Sequence, residues 1–288
     1  MSENRLKTVG ILTKPHAPDI QPVLVELKKW LHDQERNVIL DLPPPNTKQE
    51  TSLTLKTQIA QHAHLIVVFG GDGTILSAAR LVAERAVPIL GVNMGGLGFL
   101  TETTLAHLYD ALQKVFAGKY QLDERLMLYA TVHRHQEKIT EAIALNDVVI
   151  NKGPLARMIS TKVWINGSFM TNMRGDGLII ATPTGSTGYS LSSNGPILDP
   201  SLDAFILNPI CPHTLSHRPF LVSSHATIKV MLTSQENARA AFDGQIGLEL
   251  FSGDTVEITA SDCRTHLIRF PNRSFYDVLR NKLKWGDG

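Results

Sequence analysis

The sequence lacks several features that would place it in a well-marked class of proteins. Two of its 288 residues are cysteine, too few for the disulfide framework of a small secreted protein. Its apolar runs fall far short of the ~20 residues of a membrane-spanning helix. The polar start MSENRLK also lacks the apolar core of a signal peptide. These absences lead us to expect a cytoplasmic protein that has no membrane partner.

An excess of charge of either sign is also missing. The chain carries 28 Lys and Arg against 27 Asp and Glu, a formal net charge of +1. A protein that holds nucleic acid without sequence preference usually presents an excess of basic residues, so we expect no nucleic-acid partner. If the protein handles phosphates, it must bind them through local groups.

The first 120 residues alternate between strand-like and helix-like segments. Hydrophobic residues make up 43% of the chain, enough for a sizeable core, and the length suggests two domains. The predicted strands are short apolar or β-branched runs at 8–13, 37–42, 65–69 and 88–93. The predicted helices have apolar residues at helical spacing and lie at 23–31, 74–85 and 105–118. This alternation predicts an α/β domain with a parallel sheet, similar to a Rossmann domain.

After about residue 120 the pattern changes to short β-rich segments broken by turns. The Asn166-Gly167 pair between KVWI and SFM predicts a two-residue hairpin turn. A helical pattern returns only at 274–284. The predicted organisation is an α/β domain over 1–120, a mostly β domain over 121–270, and a terminal helix in 271–288 that packs back on the first domain.

Directly after the apolar run LIVVF, three glycines surround one aspartate in Gly70-Gly71-Asp72-Gly73-Thr74. Glycine allows a tight turn that brings backbone N–H groups against a phosphate, and a helix that starts here adds its positive end. The same residues are also compatible with an ordinary turn in which the aspartate caps the helix. Neither the G-x-G-x-x-G dinucleotide fingerprint nor a G-x-x-x-x-G-K-[ST] loop occurs in the chain. The motif therefore predicts a phosphate site of another kind.

Two further loops follow predicted strands. GVNMGGLGFL, which contains Asn93, Gly95 and Gly96, follows the next strand, so two successive parallel strands end in glycine loops and suggest a shared cleft. RGDGLIIATPTGSTGYS combines glycines with hydroxyls at 184–190, a dense set of donors and acceptors. Its Tyr189 offers a ring that stacks on a planar group or bonds to a ribose. Taken alone, each loop is also compatible with a polar turn.

The order of GGDGT, GVNMGGLGFL, ALNDVVI, RGDGLIIATPTGSTGYS and AAFDGQ resembles the ATP-dependent NAD kinases of bacteria over nearly the whole chain. GGDG alone is shared with diacylglycerol-type lipid kinases and 6-phosphofructokinases, whereas TPTGSTGYS with an upstream Asn-Asp pair is highly specific. The resemblance implies the NAD kinase fold and transfer of the γ-phosphate of ATP to the 2′-hydroxyl of the adenosine ribose of NAD, which gives NADP and ADP. It also implies Mg²⁺ or another divalent metal, and a homo-oligomer, either a dimer or a tetramer.

The resemblance further implies roles for individual residues. Asp72 matches the aspartate that accepts the proton of the ribose hydroxyl, and Asn146-Asp147 matches an Asn-acidic pair that holds the ribose and base of NAD. Many family members have Glu in place of Asp147. The implied NAD contacts are Asp72, Gly73, Asn146, Asp147, Arg157, Arg174, Asp176, Thr184, Thr187, Gly188, Tyr189, Ser190, Leu191, Ser192 and Gln245. The implied phosphate and ATP loops contain Gly70, Gly71, Gly73, Thr74, Asn93, Gly95 and Gly96.

Phosphoryl transfer to an alcohol needs in-line positioning, charge neutralisation and a carboxylate that accepts the proton late in the reaction. Asp72 has the right side chain, but the sequence leaves open whether it acts as a base or as a metal ligand, and it identifies no metal ligands. Arg174 stands where the family has Arg or Gly, a difference associated with strictness for ATP and NAD over polyphosphate and NADH. The alternatives are a sensor that binds NAD or NADP without turnover, and a lipid or sugar kinase that shares GGDGT.

Overall fold

The computed structural model of the chain describes residues 6–14, 20–41, 49–96, 98–153, 157–214, 216–271 and 273–285. The chain divides into two compact units: unit 1 is Met1–Glu124 with Thr265–Gly288, and unit 2 is Arg125–Arg264. In chain order the strands are β1 (Thr8–Thr13), β2 (Asn37–Leu40), β3 (Leu65–Phe69), β4 (Ile89–Asn93), β5 (Thr103–Thr104), β6 (Gln121–Arg134), β7 (Glu137–Ala144), β8 (Asp147–Lys152), β9 (Ile159–Ile165), β10 (Ser168–Gly175), β11 (Gly177–Ala181), β12 (Ala204–Ile210), β13 (Phe220–Ser223), β14 (Ile228–Leu232), β15 (Ala238–Phe242), β16 (Ile246–Leu250) and β17 (Thr255–Arg269). The helices are α1 (Gln21–Asp33), α2 (Gln49–His62), α3 (Asp72–Val82), α4 (Leu108–Phe116), α5 (Tyr189–Ser192) and α6 (Phe275–Leu283).

Unit 1 contains a parallel sheet in the order β2-β1-β3-β4, and the last part of β17 continues it beside β4. Every residue of β3 is buried, as expected for a strand covered by helices on both faces. In α4, four buried residues recur at helical spacing: Leu108, Ala111, Leu112 and Val115. Gly118 follows with a φ of +69°, a conformation that suits glycine and ends the helix. The prediction of a parallel α/β domain is confirmed.

Two features of unit 1 differ from the prediction or fall outside it. The sequence pattern gave no sign of α2, because its residues QETSLTLKTQIAQH are largely polar and lack a regular apolar stripe. The predicted strand at 37–42 ends at Leu40 in the structure, and Leu42 lies outside the described residues. The helix in the C-terminal segment is confirmed, and it begins with a capping box formed by Ser274 and Asp277.

Unit 2 consists mostly of β-strands, as predicted, and most of these strands pair antiparallel. One sheet has the order β13-β12-β11-β8-β15-β16. The other has the order β10-β9-β14-β17, with β6 beside β17 and β7 beside β6. Buried residues of both sheets, such as Phe205 and Phe242 in the first and Val163 and Ile258 in the second, form one hydrophobic cluster. This arrangement is a two-layer packing of sheet on sheet.

The turn between β9 and β10 is the two-residue hairpin that Asn166-Gly167 predicts. Both residues have positive φ angles, +51° and +76°, and Ile165 pairs with Ser168. By contrast, β6 and β17 are longer than the short strands expected from the sequence. Both strands continue through polar residues, and in each of them the chain passes from one unit to the other.

Candidate active site

The GGDGT sequence forms the turn between β3 and α3. Gly71 is the N-cap of α3 and has an extended backbone, and Asp72 is the first residue of the helix. A Cβ atom on Gly70 would lie 2.4 Å from Oγ1 of Thr74, so the turn closes because residue 70 has no side chain. The Asp72 carboxylate therefore stands at the positive end of a helix that follows a buried parallel strand.

The loop after β4 is fixed by two polar side chains. Asn93 accepts the N–H of Gly95 at 2.7 Å through Oδ1 and donates from Nδ2 to the carbonyl oxygen of Gly96 at 2.5 Å. At the far end, Oγ1 of Thr101 accepts the N–H of Gly98 at 2.8 Å. The conformation of this glycine-rich loop is thus set by short hydrogen bonds rather than left free.

The Asp72 carboxylate joins these two loops. Its Oδ2 accepts the N–H of Phe99 and its Oδ1 accepts the N–H of Leu100, both at 3.0 Å. A Cβ atom on Gly98 would lie 2.2 Å from Oδ1, so the backbone approaches the carboxylate because residue 98 is glycine. Since β3 and β4 are neighbouring parallel strands, the loops that follow them meet at Asp72.

The opposite side of this loop is held by two arginines that the sequence analysis did not identify. Nη2 of Arg269 donates to the carbonyl oxygen of Phe99 at 3.2 Å, and Nη1 of Arg269 lies 3.4 Å from that of Leu100. Nη1 of Arg273 donates to the carbonyl oxygen of Thr101 at 2.8 Å. The two arginines are more than 160 residues from the loop in sequence, so no local motif connects them with it.

A buried carboxylate compensates the charge of these arginines. The side chain of Glu102 is 2% exposed and lies 3.1 Å from Nη1 of Arg269 and 3.6 Å from Nη1 of Arg273. Its Oε1 accepts the N–H of Phe270 at 2.9 Å, and Asp123 forms a second ion pair with Nε of Arg269 at 3.1 Å. Buried charges need such partners, because an unpaired ion in the interior is strongly unfavourable.

In unit 2, the Asn146-Asp147 pair at the start of β8 is held by an aspartate to which sequence reasoning gave no role. The carboxylate of Asp243 accepts the backbone N–H groups of Leu145, Asn146 and Asp147 at 3.1, 2.7 and 3.3 Å. Asp243 follows β15, which pairs with β8. The AAFDGQ motif had given only Gln245 as a candidate, although Asp243 has the more direct structural role.

Asp147 is a buried carboxyl beside a second carboxyl. Its exposed fraction is 4%, and burial together with the charge of Asp243 raises the pKa of Asp147 to about 7. At neutral pH a large share of the molecules therefore carries a protonated Asp147. A protonated carboxyl donates a hydrogen bond, which an ionised one cannot do.

One polar atom of Asn146 is buried and unpaired. Its Oδ1 has no hydrogen-bond partner among the described atoms. A buried acceptor without a partner is rare and energetically unfavourable, so it marks a position where a ligand can supply a donor. The backbone of Asn146 is in turn bound by the next loop, since Thr182 donates its N–H to the Asn146 carbonyl oxygen at 2.9 Å.

The TPTGSTGYS loop packs directly on this pair. Oγ1 of Thr182 donates to the carbonyl oxygen of Leu145 at 2.6 Å. A Cβ atom on Gly185 would lie 2.1 Å from the carbonyl oxygen of Asn146, and one on Gly188 would lie 3.2 Å from Nδ2 of Asn146. The structure therefore brings the Asn-Asp pair and this loop together at one end of β8 and β11.

Several hydroxyls of this loop are used inside it, whereas the sequence suggested a surface of donors and acceptors. Ser186 is fully buried, and its Oγ donates to the Pro183 carbonyl oxygen at 2.6 Å and accepts the Leu198 N–H at 3.0 Å. Oγ1 of Thr184 accepts from the buried Arg125 at 3.2 Å. These hydroxyls are used to shape the loop. Contact of its side chains with a ligand is therefore left to the exposed ones.

The loop ends in the four-residue helix α5, which sequence reasoning did not predict. Nδ2 of the buried Asn208 donates to the carbonyl oxygens of Ser190 and Ser193 at 2.9 and 3.2 Å and so holds the end of α5. Ser190 is itself fully buried, whereas Tyr189 is 44% exposed and Ser192 is exposed. The ring that the sequence singled out is therefore accessible.

Other candidates for NAD contact in unit 2 are charged or polar residues near the surface. Asp176 forms an ion pair with Nζ of Lys152 at 2.9 Å. Arg157, Arg174 and Gln245 are exposed.

Two kinds of feature are missing from the described residues. No group of three or more His, Cys, Asp or Glu side chains stands together as a potential metal site in the described part of the chain. In the same part, no helix is both long and apolar enough to cross a membrane.

Comparison with known proteins gives matches along nearly the whole chain. Residues 9–120 match the model of the ATP-NAD kinase N-terminal domain, and residues 145–270 match that of the ATP-NAD kinase C-terminal domain. An NAD kinase of Citrifermentans bemidjiense is 47% identical over 98% of this chain and 100% of its own length. An NAD kinase of Geobacter sulfurreducens is 45% identical over 98% of this chain and 100% of its own length.

Solved structures agree with these matches. Yeast NADH kinase, crystallised with NADH, superposes with a TM-score of 0.87 at 26% identity and covers 99% of this chain and 89% of its own. An NAD kinase from Archaeoglobus fulgidus in complex with ATP gives a TM-score of 0.74 at 26% identity, with 96% and 98% covered. By its sequence motifs, its fold and these relatives, the chain belongs to the NAD kinase family.

Proposed function

We propose that this protein is an ATP-dependent NAD kinase that phosphorylates the 2′-hydroxyl of the adenosine ribose of NAD and releases NADP and ADP. The observation that carries the proposal is the Asp72 carboxylate, fixed between two backbone N–H groups at the start of α3 in a chain of this family. The ATP and NADH complexes of the two structural relatives support a nucleotide donor and a dinucleotide acceptor.

Asp72 is proposed as the proton acceptor. Each of its oxygens accepts one N–H and keeps a lone pair for the ribose hydroxyl. The 2′-oxygen forms a bond to the γ-phosphorus, the bond from that phosphorus to the β–γ bridging oxygen breaks, and the hydroxyl proton passes to the carboxylate. A carboxylate is too weak a base to remove this proton beforehand, so proton and phosphoryl transfer are concerted.

The glycine loops are proposed to bind the phosphates of ATP. The candidates are Gly70, Gly71, Gly73, Thr74, Asn93, Gly95 and Gly96, which belong to the loops after β3 and β4. Hydrogen bonds between Asn93 and the backbone of Gly95 and Gly96 fix the second loop in advance, so less conformational entropy is lost when the loop holds a phosphate. Backbone N–H groups of this kind supply donors without the broad basic surface that this chain lacks.

Residues of unit 2 are proposed to recognise NAD. The buried Oδ1 of Asn146 accepts from a donor such as the amino group of adenine, and the raised pKa of Asp147 lets its protonated carboxyl donate to a ribose oxygen. Tyr189 supplies an exposed ring for stacking. The further proposed contacts in unit 2 are Arg157, Arg174, Asp176, Thr184, Thr187, Gly188, Ser190, Leu191, Ser192 and Gln245, and Asp72 and Gly73 of unit 1 are proposed to contact the ribose that is phosphorylated. Of these, the buried Thr184 and Ser190 are proposed to act through the loop backbone.

Three finer features complete the proposal. Mg²⁺ enters as part of the substrate, bound to the phosphates of ATP, because this ion usually reaches kinase sites together with its nucleotide. The chain is proposed to work in the cytoplasm and as a homo-oligomer, which its resemblance to the NAD kinases implies. Arg174 favours ATP over polyphosphate and NAD over NADH.

The test is incubation of the purified protein with NAD, ATP and Mg²⁺, with NADP detected by an NADP-specific dehydrogenase. We expect NADP to accumulate with ATP and NAD, and much more slowly when polyphosphate replaces ATP or NADH replaces NAD. Tight binding of NAD without any NADP would overturn the kinase proposal and favour a sensor. Equal rates with NADH would leave the kinase intact but remove the role given to Arg174.

A further inference from the structure

The peptide group between Phe99 and Leu100 links Asp72 to an arginine. Its N–H, on Leu100, donates to Oδ1 of Asp72 at 3.0 Å. Its carbonyl oxygen, on Phe99, accepts from Nη2 of Arg269 at 3.2 Å. A guanidinium, a peptide group and a carboxylate therefore form one chain of hydrogen bonds, with a full charge at each end.

The preceding peptide group repeats this arrangement in a weaker form. The N–H of Phe99 donates to Oδ2 of Asp72 at 3.0 Å, and the carbonyl oxygen of Gly98 lies 3.5 Å from Nη2 of Arg273. The longer distance makes the contact of Arg273 the weaker of the two. Both N–H groups that hold the carboxylate thus belong to peptide groups that face a cation on their other side.

Such a chain acts on Asp72 in two ways. A cation at the carbonyl end polarises the peptide group, which strengthens its N–H as a donor to the carboxylate. The planar fork of Arg269 also fixes the orientation of the peptide, because two of its nitrogens contact the neighbouring carbonyl oxygens of Phe99 and Leu100. A fixed peptide in turn fixes both carboxylate oxygens, and a misplacement of about 1 Å at a reacting group costs on the order of 100-fold in rate.

The position of Arg269 is itself determined by its surroundings. Its side chain is 15% exposed and forms ion pairs with the buried Glu102 and with Asp123, both at 3.1 Å. Two carboxylates and two carbonyl oxygens therefore contact the guanidinium nitrogens of Arg269 from several directions. A side chain held in this way has one accessible orientation, as a positioning group requires.

We propose that Arg269 is a positioning residue for phosphoryl transfer, which acts through the 99–100 peptide group to orient the Asp72 carboxylate. Arg273 assists at the 98–99 peptide group, and Glu102 holds both arginines. The inference rests on the proposed role of Asp72 as proton acceptor.

The first test is the Arg269→Lys variant. Lysine keeps the positive charge beside Glu102 and Asp123, but its single ammonium cannot reproduce the planar fork on two carbonyl oxygens. We expect kcat to fall by about 10-fold or more, while the KM values for NAD and ATP stay within about threefold. Arg134→Lys is the matched control, because Arg134 forms a similar fork on the buried Asp254 in unit 2. Its kcat should stay within about twofold of the wild-type value.

The second test asks whether Arg269 acts through Asp72. We expect Arg269→Lys to lower turnover in the wild-type background but to have less than about a twofold effect in an Asp72→Asn background, because residues that act as a unit are not additive. Residual NADP is measured over long incubations. An equal loss in both backgrounds would overturn the proposal and leave Arg269 as a stabilising residue.

The third measurement does not depend on activity. Hydrogen exchange in the peptide that covers residues 98–102 reports directly on the N–H groups that donate to Asp72. We expect exchange there to be about 10-fold faster or more in Arg269→Lys, with no such change in Arg134→Lys. Unchanged exchange would contradict the proposal even if turnover falls. If the wild type forms no NADP, the proposed function fails, whereas the exchange result still decides whether Arg269 holds the peptide.

Discussion

At the scale of single residues, the environment of the Asp72 carboxylate depends on residue 98 being glycine. The 99–100 backbone reaches both carboxylate oxygens because residue 98 has no Cβ atom, which would lie 2.2 Å from Oδ1. The sequence GGLGF marks this position as glycine-rich, but nothing in it connects Gly98 with an aspartate 26 residues earlier. The partner of a close contact of this kind becomes visible only in three dimensions.

Replacing Gly98 with alanine should therefore displace the Asp72 carboxylate. We expect kcat of Gly98→Ala to fall by about 10- to 100-fold, because the Cβ atom cannot be accommodated without a shift of the carboxylate or the loop. Steady-state kinetics with NAD and ATP measure the effect. Gly247→Ala is the control, since the nearest atom to a Cβ there is the tip of the Arg239 side chain at 3.2 Å. Wild-type turnover in Gly98→Ala would show that this geometry is not required.

Asp147 shows how burial changes the properties of a carboxyl. Its pKa of about 7 in the folded protein lies well above the ~3.9 of an unfolded chain, because burial and the neighbouring Asp243 disfavour its charge. Between these two values the folded state holds a proton that the unfolded state has lost. The contribution of Asp147 to stability is therefore fully present below about pH 4, and it falls as the pH rises to about 7.

Asp147→Asn removes this titration and should make the protein less sensitive to alkaline pH. We expect the gain in the free energy of unfolding from Asp147→Asn to be larger at pH 8 than at pH 5, by roughly a few kcal/mol, because the wild type loses stability between these two pH values. Urea unfolding without nucleotides at both pH values measures the difference. The surface variant Asp262→Asn should follow the wild type. If Asp147→Asn also follows it at both pH values, Asp147 is ionised in the folded protein throughout this range.

At the scale of elements, the strands with strong apolar patterns were predictable and the polar or very short elements were not. β3 and β4 are buried along their whole length, so their sequences carry an unambiguous signal. α2 has a largely polar sequence, and α5 is a single turn whose residues also read as a polar loop. The limits predicted for the domains, at 120 and 270, stay a prediction.

The helix α5 depends on a tertiary contact, which explains why a local pattern could not reveal it. Nδ2 of Asn208, on β12, donates to the carbonyl oxygens of Ser190 and Ser193 and so replaces the bonds that a longer helix would form with itself. An isolated helix of four residues is not stable in water. The conformation of the proposed NAD-binding loop is therefore set by a strand beneath it.

Asn208→Ala should loosen this loop. Because the proposed role of the loop is to bind NAD, we expect the KM for NAD to rise by about 10-fold, while the KM for ATP changes by less than about threefold. Asn237→Ala serves as the control, since its Nδ2 bonds to Glu249 on an exposed hairpin. A parallel rise of both KM values would point to a general loss of structure rather than to the loop.

At the scale of the whole molecule, the near-zero net charge indicates that phosphate is bound by local groups and not by a broad basic surface. A protein proposed to bind two polyanionic nucleotides carries 28 basic and 27 acidic residues. The positively charged side chains of Arg269 and Arg273 near Asp72 are paired with the carboxylate of Glu102. Recognition of phosphate is thereby left to local N–H groups and to the metal ion that accompanies ATP.

The sequence was sufficient for the family and the fold class because five motifs occur in a fixed order along the chain. It was not sufficient for the groups that hold these motifs in place. Asp243 lies 96 residues or more from the backbone that it binds, and Arg269 lies 170 residues from Phe99. Contacts over such separations leave no periodic or local pattern.

The central claim is that Asp72 accepts the proton during phosphoryl transfer to NAD. The most direct measurement is the single-turnover rate of NADP formation by Asp72→Asn, taken together with its Kd for NAD. We predict that this rate falls by about 100-fold or more relative to the wild type, with the Kd within a few-fold, because the amide keeps the shape of the side chain but cannot take up the proton. A rate close to that of the wild type, at saturating NAD and ATP, would contradict the claim.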